Sequence, residues 1–180
     1  MTYIYHRVPN NMQGDTLYPL NSLKDIYPGI YDSEVAKYKG REHVPKQHIS
    51  LFGGCLWNDV LFFVAADPAA IYEERRKAGW VAMKPQKYFK IDPRKLDQSK
   101  LGIFLFQDWA DPTNYVKDNF TEYRYEELSR YTAIPQATKD YFRHEFEAGA
   151  PYVKLLYRYV PHILYHGSIN ISQVEIVNIK

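Results

Sequence analysis

An α+β domain on a largely antiparallel sheet is what this chain predicts, from three observations. Strand-like segments stand at both ends, at residues 2–8 (T-Y-I-Y-H-R-V) and at 162–165 and 174–179 (H-I-L-Y and V-E-I-V-N-I). Helical segments are interspersed between strands rather than alternating with them. The G-x-G-x-x-G and Walker patterns of parallel nucleotide-binding sheets are missing from the 180 residues. That length suits one domain with a real core.

The elements follow in order. Residues 2–8 are rich in β-formers and end at Pro9. Asn21 and Ser22 are placed to cap a short helix through Asp25 and Ile26, stopped by Pro28. Asp32 and Ser33 are placed to cap a second helix over E-V-A-K-Y-K, ending at Gly40. Residues 60–65 form a continuous apolar run of strand length. Asp67 and Pro68 then read as the cap and first position of a helix that runs to Lys77 and stops at Gly79.

K-Y-F-K-I-D alternates, with Tyr88 and Lys90 on one face and Phe89 and Ile91 on the other. G-I-F-L-F is a further apolar strand, and residues 107–120 have no clean period, as in a long functional loop. Residues 135–148 read as a helix with Tyr141, Phe142 and Phe146 apolar and Gly149 past its end.

The most informative stretch runs from Arg41 to Gly79. A basic, histidine-bearing loop feeds a buried strand, which feeds a helix; loops held by a rigid scaffold are where ligand sites are built. Aromatic residues make up 16% of the chain, 17 of them tyrosine, and tyrosine suits ring stacking and wet interfaces. A net charge of +2 with no dense Lys/Arg block speaks against a DNA-wrapping protein and leaves single-stranded nucleic acid open as a partner.

The lone Cys55 excludes an intramolecular disulfide and reads as a small buried hydrophobe. No apolar run approaches 18 residues and no signal-peptide pattern opens the chain, so the expectation is a cytoplasmic protein without membrane contact. The Glu145-Phe146-Glu147 triplet reads as solvated helix charge, and Asp59 as a turn or cap residue before a strand.

Read in order, several segments resemble the ADP-ribosyltransferase superfamily, and within it the DarT-like enzymes that modify DNA bases with NAD. The opening Y-I-Y-H-R-V-P-N-N resembles that family's first strand and asparagine-bearing turn. Arg41, followed by D-V-L-F-F and D-P-A-A-I-Y, resembles its arginine segment, strand and following helix. Y-R-Y-V-P-H-I-L-Y-H-G-S-I-N resembles its closing strand. The resemblance covers most of the chain and implies a split antiparallel sheet with flanking helices, NAD as substrate and a glycosyl-transfer reaction. The family's last-strand glutamate is missing; His162, or Pro161 with a one-residue shift, occupies its place.

The resemblance implies roles residue by residue. Arg41 is the candidate for the diphosphate, since a guanidinium bonds phosphate oxygens in pairs and stays charged, with Arg7 second. His6 would bond a ribose hydroxyl. Asn10 or Asn11 would meet the nicotinamide carboxamide, whose donor and acceptor an amide matches. Tyr72 falls in the cofactor-binding block. Arg41 and His162 are the catalytic candidates, although a histidine cannot supply glutamate's permanent negative charge.

Two other readings compete. One is a non-catalytic module that holds single-stranded nucleic acid or a protein with tyrosines and Arg124, Arg130, Lys154 and Arg158. A weaker one is a metal-dependent nuclease using His43, His48, His162 and His166, whose spacing matches no zinc signature.

Overall fold

A computed structural model describes residues 1–81, 84–105 and 119–180. Most of the irregular 107–120 segment lies outside the described residues. Eleven strands are described: β1 Ile4–Arg7, β2 Thr16–Leu17, β3 His48–Ile49, β4 Cys55–Leu56, β5 Leu61–Val64, β6 Gln86–Ile91, β7 Leu101–Phe104, β8 Phe120–Glu122, β9 His162–Tyr165, β10 Ile169–Asn170 and β11 Glu175–Ile179. The α-helices are α1 Leu23–Ile26, α2 Pro28–Val35, α3 Pro68–Lys77 and α4 Gln136–Glu147. Seven strands form one antiparallel sheet in the order β11-β6-β1-β5-β9-β7-β8. The expected α+β class is what the chain adopts. Two two-stranded ribbons, β2 with β10 and β3 with β4, flank it.

Period-2 patterning sorts the core. Ile4, Phe63, Phe89, Ile91, Ile103 and Ile163 share one face. Val64 and Tyr88 lie on the other, with Leu164 and Phe104 farther along it. The second face carries both long helices: Ile71 and Tyr72 of α3 and Tyr141 and Phe142 of α4 pack there. The first is closed by Leu128 and by Leu17 and Ile169 of the β2–β10 ribbon. The longer helices thus cover one face instead of flanking both.

Alpha-3 begins as its sequence dictates. The Asp67 carboxylate accepts from Ala69 N at 2.8 Å, Pro68 takes the first position, and Gly79 turns at φ +105°. Phe146 of α4 packs against Gly79 so closely that an added Cβ would lie 2.5 Å from its ring.

The early helices depart from expectation. Asp32 and Ser33 lie inside α2, which starts at Pro28 and continues into a 3₁₀ turn at Ala36–Tyr38. Pro28 is a start signal as well as a stop, because its missing N–H costs nothing at a first helical position. Nor does Ser22 or Asn21 cap α1 through its side chain; the Asn21 amide instead donates to Asp59 Oδ1 at 2.7 Å.

The sheet has one weak seam. Strands β1 and β6 pair along four residues, Ile4↔Ile91 to Arg7↔Tyr88, whereas β1 meets β5 only at Tyr5↔Val64. Beyond that pair no further bridge joins the two strands among the described residues, although the His6 ring still meets Phe63 at 5.3 Å.

Candidate nucleotide cleft

Beside this seam lies a cleft in two halves. The first is a cavity of about 200 Å³ lined by aromatic and aliphatic side chains, among them Leu17, Tyr18, Tyr27, Ile30 and Tyr38, with His6, Asn11 and Asn58 as polar groups. The second, about 630 Å³, carries Lys37, Arg41, His43, Lys154, Arg158 and His162 around Trp57, Phe104 and Tyr157. Leu20, Glu34, Tyr38 and Phe62 line both, so the two lie side by side against a common wall. His6 and Leu61 from one face of the sheet and Phe62 from the other line the same cavity.

Alpha-2 and the turn after it form the long wall. Ile30, Glu34 and Tyr38 recur four residues apart on one side of α2 and its 3₁₀ turn, with Tyr27 just before them and Arg41 just after, beyond the turn at Gly40. The row runs from aromatic to cationic. Glu34 stands in its middle, its side chain 29% exposed; Asn11 Nδ2 donates to Oε1 at 3.3 Å, and exposed Lys37 is within 2.6 Å of Oε2.

The floor comes from the turn before β5. Asp59 accepts from Leu56 N and from Asn21, each at 2.7 Å, and so fixes that turn. Asn58, only 3% exposed, accepts from the Tyr38 hydroxyl at 3.0 Å through Oδ1. Among the described residues no hydrogen bond engages its Nδ2, which therefore offers two N–H donors beside an aromatic cavity. Phe62 packs against Trp57 at 4.6 Å and edge-on to His162 at 6.0 Å.

The far wall of the cationic half is held by α4. Thr138 Oγ1 donates to the Arg158 carbonyl at 2.7 Å, and Leu155 N donates to Tyr141 Oη at 3.4 Å. The Arg158 guanidinium lies over the Tyr141 and Tyr159 rings, 4.9 Å from each centroid. Arg41 is exposed, lines this half and donates to the Lys37 carbonyl at 3.1 Å.

Two histidines of the cleft are held uncharged. Burial pushes His162 down to about 4, against a smaller upward pull from the Val160 backbone. His6 is likewise lowered to about 4 by burial, partly countered by its Nδ1 contact with the Arg7 carbonyl at 2.7 Å. Burial first, and Asp59 second, push the Cys55 thiol up to about 11, so at neutral pH it is a poor nucleophile.

Of the residues singled out in the sequence, His6 and Asn11 line the aromatic cavity and Arg41 and His162 the adjoining cationic pocket. Arg7, Asn10 and Tyr72 line neither. Arg7 points to the opposite face of the strand from His6, where its charge acts on Tyr88 and Tyr157. Asn10 is exposed in the turn, and Tyr72 is buried under α3 in the core. The reason is strand alternation: adjacent residues such as His6 and Arg7 cannot serve one side.

The four histidines do not assemble either. His48 sits on β3 and His166 stacks on Phe52 at 5.3 Å, and among the described residues no group of three or more His, Cys, Asp or Glu side chains is placed to hold a metal. Glu145 and Glu147 lie at the end of α4, outside the cleft. Among the described residues no helix is long and apolar enough to cross a membrane.

Sequence reasoning missed Asn58, Glu34, Lys37 and Tyr38. Asn58 carried a faint signal, a polar residue just before an apolar strand. The Glu34–Tyr38 row was hidden by the misplaced start of α2. Comparison of the chain with family models, with curated proteins and with solved structures finds no match.

Proposed function

We propose that the cleft binds NAD and that the protein is an NAD-dependent ADP-ribosyltransferase-like enzyme, with nucleic acid bases as the acceptor class. The observation that carries this reading is an aromatic cavity offering buried amide donors beside a cation-rich pocket, the two sharing Leu20, Glu34, Tyr38 and Phe62. A dinucleotide has that same division: a flat heterocycle with a carboxamide at one end, and a diphosphate along its middle. Sites for such ligands occupy ~300–1,000 Å³.

In this reading the nicotinamide ring enters between Tyr27, Tyr38 and Phe62. Its carboxamide oxygen accepts from Asn58 Nδ2, with Asn11 at the cavity edge. His6, neutral at pH 7, bonds a ribose hydroxyl. Arg41, Lys37 and Lys154 face the diphosphate. His162 contributes a neutral ring wedged among Phe62, Phe104 and Tyr157; it positions the sugar and carries no charge at pH 7. Exposed His43 and Lys154, with half-buried Arg158, give the cationic half a rim suited to a phosphate backbone.

Thermal unfolding with added NAD tests this. A ligand that binds only the folded state raises its stability by ~2.7 kcal/mol at a hundred times Kd. A concentration-dependent rise in midpoint is expected, and no rise at millimolar NAD overturns the reading.

One observation favours a second reading. The stacked Tyr141–Arg158–Tyr159 array, with exposed Tyr152 nearby in sequence, is a platform for bases. Salt-sensitive oligonucleotide binding indifferent to NAD would select a non-catalytic binding module instead.

A further inference from the structure

Strand β9, His162–Tyr165, has no carboxylate, although a carboxylate assists glycosyl transfer. Breaking the bond from a sugar to a nitrogen leaving group builds positive charge on the sugar, and a fixed negative charge beside it lowers that barrier. The cleft's own inventory answers the need. Among the described residues Glu34 is the only Asp or Glu that lines either half, and it lines both. It therefore stands where a ring in the aromatic half would join a diphosphate in the cationic half. That junction is the ribose.

We infer that Glu34, from helix α2, is the catalytic carboxylate of this cleft; the inference rests on the proposed binding of NAD. Both of its oxygens are engaged, by Lys37 Nζ at 2.5 Å from Oε1 and 2.6 Å from Oε2, so its availability depends on Lys37 being drawn away. Asn11 Nδ2 holds Oε1 at 3.3 Å from the strand-loop side. Lys37, one turn on, pairs with it, but the lysine is 63% exposed and lines the cationic half. A diphosphate arriving there competes for Lys37 and leaves the carboxylate facing the sugar. The other carboxylates nearby are committed elsewhere: Asp59 to Leu56 N and Asn21, Glu42 to Gly40 N.

The step balances without any further reagent. The bond between C1′ of the ribose and the pyridine nitrogen breaks, and its electron pair stays on that nitrogen, so nicotinamide leaves neutral. The Glu34 carboxylate opposes the charge left on C1′ and the ring oxygen. A nucleophilic atom of the acceptor, a base nitrogen or water, bonds to C1′. Its proton passes to Glu34 and then to solvent.

The test uses the full chain. NAD binding is measured by calorimetry and nicotinamide release by chromatography, for wild type and Glu34→Gln, with folding checked by thermal midpoint. The expected result is an NAD affinity within ~3-fold of wild type and nicotinamide release lowered ~100-fold or more. A second readout involves no turnover. The oxidised ring is cationic and the reduced ring is neutral, so wild type prefers NAD over NADH and Glu34→Gln loses ~2- to 3-fold of that preference.

Binding retained with release within ~3-fold of wild type overturns the role of Glu34 and leaves NAD binding standing. Loss of binding together with release makes Glu34 a binding residue and overturns the catalytic assignment. Wild type that binds NAD and releases no nicotinamide, with water or oligonucleotide present, overturns it as well. Wild type that does not bind NAD overturns both this inference and the reading beneath it. If Glu34→Gln does not fold, Glu34→Asp keeps the charge and shortens its reach. Release lowered ~10-fold at unchanged affinity is then expected, and an unchanged rate overturns the assignment.

Discussion

The aromatic and cationic halves of the cleft are built by opposite means. In the aromatic half polar groups are buried and fixed by partners: Tyr38 holds Asn58, and Leu56 and Asn21 hold Asp59 beneath it. In the cationic half the charges are borne on exposed arms, Lys37, Arg41 and Lys154, of which Arg41 has one hydrogen bond, to a carbonyl. The first half is part of the folded scaffold and cannot be altered without a stability cost. The second is attached to the scaffold and is free to change. Shape selection therefore belongs to the first half and salt-dependent attraction to the second.

The strongest way to break this contrast is to remove what both halves share. Phe62→Ala takes away the common floor and its contacts with Trp57 and His162. A loss of about 3 kcal/mol in urea unfolding is expected, with ligand binding weakened at every salt concentration. A stability within about 0.5 kcal/mol of wild type, as is usual for surface changes, would show that the floor does not carry the cleft.

Acid acts next. His6 and His162 have folded-state pKa values of about 4, below the usual 6.5, so the unfolded chain binds their protons more readily. Their contribution to stability is complete above pH 6.5 and is lost as the pH falls toward 4, by ~1 kcal/mol per pH unit per ring. His162→Gln should flatten that slope between pH 6.5 and 4; an unchanged slope would mean the ring is not kept neutral by its surroundings.

Tyr38→Phe sharpens the contrast within the aromatic half. It removes one hydroxyl and leaves the Asn58 carbonyl without its donor, for about 1–2 kcal/mol by denaturant titration. Arg41→Ala is the opposite case. Stability should move by less than about 0.5 kcal/mol, while affinity for a diphosphate ligand falls ~10-fold and its salt dependence becomes shallower. If Arg41→Ala destabilises the protein as much as Tyr38→Phe does, the division between scaffold and attachment is wrong.

The parts of the fold legible in the sequence were those with a single strong local cause. The apolar run before Ala65 had to be a buried strand, and Asp67-Pro68 had to open a helix, because cap and φ agree there. The face assignment of Tyr88 against Phe89 followed from alternation alone. Around Pro28 two signals competed. A proline that ends one helix also begins another, and Asp32-Ser33 looked like a cap while lying inside α2.

That conflict hid the row from Tyr27 to Arg41, and with it Glu34. The cleft itself was half legible. His6, Asn11, Arg41 and His162 carried local hints, yet the adjacency of their two pockets depends on how α2 and the turn before β5 pack together, a long-range event with no local signature. Arg7 and Tyr72 were misplaced for the same reason, since which face of a sheet becomes a cavity is decided by packing between distant segments.

The one-pair contact between Tyr5 and Val64 has a mechanical consequence. Every other junction of the main sheet is laced along several rungs, and this one hangs by a single rung. Any molecule lying across it touches β1, α2 and the turn before β5 at once and ties together pieces that the backbone ladder leaves slack. Occupancy would then be felt as stiffness at that rung, slowing the amide exchange of Tyr5 and Val64 while the well-laced β6–β11 edge stays as it was.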